Sequence, residues 1–302
     1  MSKAPVLLIM FNRPDTTARV FEQIAQYQPE RLYIAADGPR STRPGEADVC
    51  RRVREATLER ITWPCETKTL FREDNLGCKR AVSGAITWFF EHEPAGIILE
   101  DDCLPEPSFF PFCAELLERW RDEERVALIG GCNLAEGLPV EAGYGFTRYP
   151  HIWGWASWKR VWDAYDVELK SLASVLEEAG TAAFAGQANA TKGEAEFWRD
   201  RFVAVRDGQI DTWDYQLVFQ CFVRGQVAIF PKHNLIANIG FDSRATHTQS
   251  PSPLGGLKTR AARFPLAHPD AIATLPERDA YVFNAFMKPR SRIANAWRRI
   301  FG

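Results

Sequence analysis

Gly96-Ile97-Ile98-Leu99-Glu100-Asp101-Asp102-Cys103-Leu104-Pro105 is an apolar run of strand length that ends in three consecutive carboxylates. A continuous apolar run marks a strand buried on both faces, which is the habit of a parallel sheet covered by helices. Three adjacent anions repel one another, so the end of such a strand needs a cation or a set of hydrogen-bond donors beside it. A hard divalent ion is the simplest candidate, because it takes carboxylate and phosphate oxygens and keeps water in its other positions. The structural alternative is that one acid caps the helix entered near Pro105 to Pro107 while the others are solvated.

Upstream, the pattern repeats. Residues 5–11, 31–36 and 67–71 read as strands, each followed by a helical pattern: one starting at Pro14, one over 46–61, and one over 79–90 with Ala81, Ala85, Ile86, Phe89 and Phe90 at helical spacing. Strand and helix alternating four times predicts right-handed crossovers and an α/β fold with a mostly parallel central sheet flanked by helices. In such sheets ligands bind beyond the carboxyl ends of the strands. Those ends are Asn12-Arg13, Asp37-Gly38, residues 72–75, and Glu100 to Asp102, all polar.

Downstream, residues 107–121 read as a helix and 126–129 as a strand, and from about Glu136 the chain turns to aromatic-rich loops and short elements, including Trp153-Gly154-Trp155, Trp158 and Trp162. Helical patterns cover 171–179 and 193–206, another begins at Trp213, and 227–230 reads as a strand. The expected organisation is an α/β lobe over 1–135, a second lobe over 136–270, and an extension over 271–302. Ser, Pro and Gly crowd 249–256, which reads as a loop. From Lys288 on, Lys and Arg alternate with Ile293, Trp297, Ile300 and Phe301, the pattern of a basic amphipathic helix suited either to docking on the domain or to a membrane surface.

A net charge of −2, from 37 basic and 39 acidic residues, gives no reason to expect nucleic acid as a partner. Seven cysteines without C-x-x-C pairs argue against a disulfide framework or a zinc cage, and point to a cytoplasmic protein, with the inner face of the membrane a further location if the tail attaches. The first apolar run is too short to span a bilayer.

Residues 97–110, Ile-Ile-Leu-Glu-Asp-Asp-Cys-Leu-Pro-Glu-Pro-Ser-Phe-Phe, resemble the metal-binding strand and following helix of inverting glycosyltransferases of the N-acetylglucosaminyltransferase I type. The resemblance covers about 12–248. It implies the GT-A form of the Rossmann-like fold and transfer of a sugar from a nucleotide-diphosphate donor, most simply a UDP-sugar, to a hydroxyl of a glycan, glycolipid or other acceptor. It assigns Asp102 to Mn²⁺ (or Mg²⁺), and Glu100 and Asp101 to the donor. Arg13 matches the family's Arg after the first strand, with Asn12 standing where relatives carry Asp. An Arg at a helix N-terminus is unfavourable unless an anion or a ring lies beside it.

Asp37 falls where the family reads uracil, and a carboxylate, being acceptor-only, can take the N3 proton of that base. Lys79 and Arg80 lie on the first turn of a helix, against the dipole, where a diphosphate would account for them. Trp153 and Trp155 resemble the family's Gly-Trp segment and offer faces for a sugar. Asp214, in a Trp-Asp pair opening a late helix, matches the family's catalytic base; its structural alternative, shared with Asp211, is a capping box. Many GT-A enzymes place a late His on the metal or diphosphate, which makes His247 a candidate ligand, and Arg244 is a candidate for diphosphate by charge. Two rivals stand beside this reading: a sugar-1-phosphate nucleotidyltransferase, and a non-catalytic nucleotide-sugar-binding protein at a membrane surface.

Overall fold

The computed structural model describes residues 3–184, 192–240 and 257–288. Its first half runs β1 (Val6–Met10), α1 (Pro14–Tyr27), β2 (Arg31–Ala36), α2 (Glu46–Glu59), β3 (Glu66–Phe71), α3 (Gly77–His92) and β4 (Ala95–Glu100). Then come β5 (Cys103–Pro105), α4 (Phe109–Arg119), β6 (Val126–Gly130), β7 (Tyr144–Thr147), β8 (Trp155–Trp158), α5 (Lys159–Trp162), α6 (Leu172–Ala179), α7 (Lys192–Arg206), α8 (Asp214–Val223), β9 (Val227–Pro231), β10 (Ile236–Asn238) and α9 (Pro276–Val282). Eight strands form one sheet in the order β3-β2-β1-β4-β8-β6-β9-β7. The four expected strands β3, β2, β1 and β4 pair in parallel, so the fold is α/β with a large, mostly parallel sheet flanked by helices.

Residues 155–158, in the stretch expected to hold aromatic-rich loops and short elements, form β8, which runs antiparallel between β4 and β6. All four residues are buried, so the strand shows no alternation of apolar and polar positions. Its edges are saturated by strands distant in sequence, and Trp155 is thereby committed to the core at 1% exposure.

A second, two-stranded sheet pairs β10 with β5, placing Asn238 opposite Cys103. Ile239 then donates its N–H to the Asp102 carbonyl at 2.8 Å, which lays the backbone of 239–240 over the acid triplet.

Two hydrophobic cores result. One fills both faces of the large sheet, and the other gathers Tyr149, Leu172, Trp198, Phe202, Phe219 and Phe283 between α6, α7, α8 and the end of α9. α8 serves both: Leu217 and Cys221 face the first core, Val218 and Phe219 the second. Whatever α8 carries at its start is therefore fixed relative to the sheet. Among the described residues no helix is long and apolar enough to cross a membrane.

Candidate active site

The carboxyl ends of β1 to β4 open into a cavity of about 660 Å³. Arg13, Asp37, Arg40, Arg72 and Glu100 to Asp102 line it from the sheet side. Trp153, Asp211, Asp214, Tyr215 and Gly240 line it from the second half of the chain. All four strand ends picked out from the sequence contribute to it.

The acid triplet is the most strained electrostatic feature of this cavity. Asp101 accepts the Phe11 N–H at 3.0 Å, and Arg13 sets Nη1 2.6 Å from Asp102 Oδ2 and 3.7 Å from Asp101 Oδ1. None of the three caps α4; that turn is made by Glu106, which accepts from the Ser108 N–H at 2.8 Å. Burial, then the charges of Asp102, Asp101 and Asp214, push Glu100 up to about 8. Asp101 is pushed up to about 7 by burial and by Asp102, with Arg13 acting in the opposite sense. One guanidinium does not neutralise these acids, and the site favours a further cation.

Among the described residues no three His, Cys, Asp or Glu side chains converge as a protein-only metal cage. The donor set fits a different arrangement, in which Asp102 is the single protein ligand and phosphate and water oxygens complete the shell of a hard divalent ion. Gly240 is required by this crowding: a Cβ there would stand 2.2 Å from Asp102 Oδ2 and 2.9 Å from Arg13 Nη1.

Asn12, where the resembling family carries Asp, donates to Glu46 at 2.9 Å. Glu46 also accepts the Arg40 N–H at 2.7 Å and pairs with the Arg40 side chain. An Asp at position 12 would face Glu46 with a like charge, so the departure has a local cause.

The N-terminus of α3 holds two carboxylates. Asp37 accepts from the Leu76 and Gly77 amides at 3.0 and 3.2 Å and from Asn75 at 2.9 Å, and burial pushes its pKa up. Asp211 reaches across from the second half and accepts from the Cys78 and Lys79 amides at 3.0 and 3.1 Å. These contacts satisfy donors that a helix start leaves open, at the positive end of its dipole. Asp211 and Asp214 therefore do not form a capping box on α8, which has no side-chain cap hydrogen bond. The Asp214 carboxylate instead accepts from Thr212 Oγ1 and lines the cavity.

Arg13, Asp37, Glu100, Asp101, Asp102, Trp153 and Asp214 are thus brought to one cavity. Lys79 and Trp155 are not. Lys79 Nζ lies 2.9 Å from Glu168, which also takes Arg80 at 2.7 Å, so the anion that these cations need is supplied by the chain itself. Trp155 stacks on Trp213 in the core, ring centroids 5.7 Å apart at 20°. Arg244 and His247 lie outside the described residues. Arg40 was not singled out from the sequence. Asp211 was read only as a capping residue, and Arg72 only as part of the polar end of the third strand, where ligands gather.

No family model and no curated protein matches this chain. Among solved structures it is similar to HddC from Yersinia pseudotuberculosis, at 8% identity over 58% of this chain and 86% of that one, with a TM-score of 0.34. It is similar to an apo UDP-glucose pyrophosphorylase, at 10% identity over 76% and 90%, with a TM-score of 0.32. It is also similar to apo mouse xyloside xylosyltransferase 1, at 11% identity over 72% and 81%, with a TM-score of 0.31.

Proposed function

We propose that the chain is a metal-dependent, inverting glycosyltransferase of the GT-A kind that uses a UDP-sugar and a hydroxyl acceptor. The observation that carries this reading is the meeting, in one cavity, of the β4 acid triplet with Arg13 and Asp37 on the sheet side and Asp214 on the other. Asp102, through carboxylate oxygen not held by Arg13, is the residue to hold Mn²⁺ or Mg²⁺, whose charge would offset that of the leaving diphosphate.

The chain's own residues divide the remaining work. Asp37 and the adjoining strand ends hold the nucleotide, Glu100 and Asp101 face the ribose and sugar, and Trp153 offers an indole face to a pyranose. Asp214 takes the proton of the acceptor hydroxyl as its oxygen attacks the anomeric carbon from the side opposite the departing nucleotide diphosphate. Inversion at that carbon follows from a single displacement. The nucleotidyltransferase alternative calls for a Gly-rich basic loop after the first strand. Here Phe11-Asn12-Arg13 leads straight into Pro14 at the start of α1.

The test is a nucleotide-sugar panel scored by thermal shift and turnover, with and without Mn²⁺. A UDP-sugar is expected to raise Tm only with metal, and Asp214→Asn is expected to lower kcat by about 10²–10⁴-fold while UDP still binds. Asp102→Ala is expected to remove the metal-dependent shift. Binding without turnover, unchanged in Asp214→Asn, would establish a binding module instead. A product that retains the donor's anomeric configuration by NMR would remove the role given to Asp214.

A further inference from the structure

The turn Asp211-Thr212-Trp213-Asp214 is held through side chains at every residue, and one of these contacts falls on the carboxylate assigned to proton abstraction. Asp211 accepts from the Cys78 and Lys79 amides at 3.0 and 3.1 Å. Gln216 Nε2 donates to the Thr212 carbonyl at 2.8 Å and to the Val167 carbonyl at 3.2 Å. Tyr165 donates its hydroxyl to the Trp213 carbonyl at 2.8 Å, and the Trp213 ring stacks on Trp155. Thr212 Oγ1 donates to Asp214 Oδ1.

The backbone of this turn is fixed at a cost to its surroundings. Gln216 is buried at 1% exposure, and the two groups its amide meets are both carbonyl oxygens. It must therefore give them its NH2, and its Oε1 stays buried without a partner. Tyr165 lies flat on Trp162, ring centroids 4.1 Å apart at 9°. Burial, followed by the charge of Asp214, raises the Tyr165 pKa, so the phenol remains a donor. Residues 212 and 213 are thus placed before α8 begins, and with them the Thr212 hydroxyl.

The Asp214 carboxylate has little else to orient it. Among the described residues the Thr212 hydroxyl is its one hydrogen-bond donor. Glu100, Cys78, Tyr165 and Tyr215 all feel its charge, and none of them is a cation; Glu100, when ionised, repels it. The terminal torsion of an Asp side chain has broad preferences, so an untethered carboxylate turns easily. A donor on Oδ1 selects one orientation and leaves Oδ2 to take a proton.

We infer that Thr212 is a positioning residue for proton abstraction. Its hydroxyl holds Oδ1 so that Oδ2 receives the proton of the acceptor hydroxyl as the new glycosidic C–O bond forms and the bond to the nucleotide diphosphate breaks. The inference rests on the transferase reading above, with Asp214 as its base. Because the base acts on the acceptor, loss of the Thr212 hydroxyl lowers kcat and leaves UDP binding as it is. Valine is β-branched like threonine and lacks only the hydroxyl, so Thr212→Val removes the donor and keeps the shape.

The experiment follows UDP release, with Mn²⁺, from the UDP-sugar of the panel above that the full chain turns over fastest, beside titration of the same proteins with UDP. Thr212→Val is expected to lower kcat by about 10–100-fold, the scale of a misplaced catalytic group, with Kd for UDP within about two-fold. Thr212→Ser, which keeps the hydroxyl, is expected to recover most of that loss. In the Asp214→Asn background Thr212→Val is expected to cost less than about three-fold more, because residues that act as a unit are not additive. If Thr212→Val does not fold, Thr212→Ala set against Thr212→Ser makes the same comparison. An unchanged kcat in the folded variant, a Thr212→Ser chain no faster than Thr212→Val, or full additivity with Asp214→Asn overturns the positioning role. The transferase reading then stands as long as Asp214→Asn alone loses its rate. Asp214→Asn with an undiminished rate, or no turnover of any UDP-sugar, overturns both.

Discussion

Behind β7 the chain buries Glu194, Arg278 and Asp279, half-buries Arg148, and gives each a partner, whereas at the end of β4 it buries acids and leaves them in surplus. In the first place, Arg148 pairs with Glu194 at 3.0 Å, and Asp279 accepts from Thr147 Oγ1 at 2.5 Å and the Arg148 N–H at 3.1 Å. Arg278 donates to the Ala135 carbonyl at 2.9 Å and to Asn133, and lies 3.8 Å from the Phe230 ring centroid. In the second place the Glu100 carboxylate makes no hydrogen bond or ion pair with any described residue; Asp102, Asp101 and Asp214 crowd it with like charge, and Arg13 acts in the opposite sense. Paired buried charge fixes one arrangement of the chain. Surplus buried charge of one sign costs stability and is explained by a partner that arrives later.

Charge removal should therefore have opposite signs in the two places. Arg278→Met leaves the Ala135 carbonyl and Asn133 without their donor and is expected to cost about 3 kcal/mol, read as a lower urea midpoint. Glu100→Gln relieves repulsion and is expected to raise the midpoint of the metal-free chain by about 1 kcal/mol while weakening Mn²⁺-dependent stabilisation by UDP. A loss of stability in Glu100→Gln would break the contrast, because it would mean that Glu100 is also paired.

The half of the sheet that holds the acids was legible because its information is local. Strands β1, β2 and β4 hold short apolar runs, β3 is a Thr-rich segment between two helical patterns, the helices carry apolar faces at regular spacing, and parallel order follows from alternation. What escaped depends on distant partners. The strand Trp155–Trp158 is recognisable only once β4 and β6 flank it, and a wholly buried strand shows no period. The cations at the start of α3 were read as awaiting a diphosphate, whereas they pair with Glu168, 89 residues from Lys79, and the helix start is capped by Asp211, 133 residues from Cys78. Nothing in the local pattern tells an internal carboxylate from a diphosphate.

The contrast extends to pH. Glu100 has its pKa raised from 4.5 to about 8, so the folded chain holds a proton that the unfolded chain has released, and stability falls as pH rises through that window. His151 is pulled down from 6.5 to about 4 by burial and by the Arg278 charge. It stays neutral in the fold, and stability that is full above pH 6.5 falls as pH drops towards 4, by on the order of 2–3 kcal/mol at most. The two effects oppose each other between 4.5 and 6.5 and separate outside it. Tm measured against pH should lose its decline between about 7 and 8 in Glu100→Gln, the part below 7 being shared with Asp101, and part of its decline below 6.5 in His151→Gln. If Glu100→Gln leaves the decline above 7 intact, the surplus charge lies elsewhere.

Asp211 supplies the smallest and most discriminating break. It sits in the cavity with the other acids, yet its carboxylate is fully used on the Cys78 and Lys79 amides, as a buried structural acid would be. Gly77, with a φ of 76°, brings the turn close enough that a Cβ there would stand 2.8 Å from Asp211 Oδ2. Such a cap is worth about 1 kcal/mol, so Asp211→Ala is expected to lower Tm by a few degrees. Because Asp211 joins α3 to the segment that leads into Asp214, its loss is also expected to lower kcat more than it weakens UDP, through looser placement of the base. Asp211→Asn keeps the side-chain carbonyl as an acceptor and should recover most of the stability. If Asp211→Ala instead tightened UDP binding without changing kcat, the carboxylate would be a competitor for the diphosphate at the helix start, and this acid would belong with the surplus charge of the cleft.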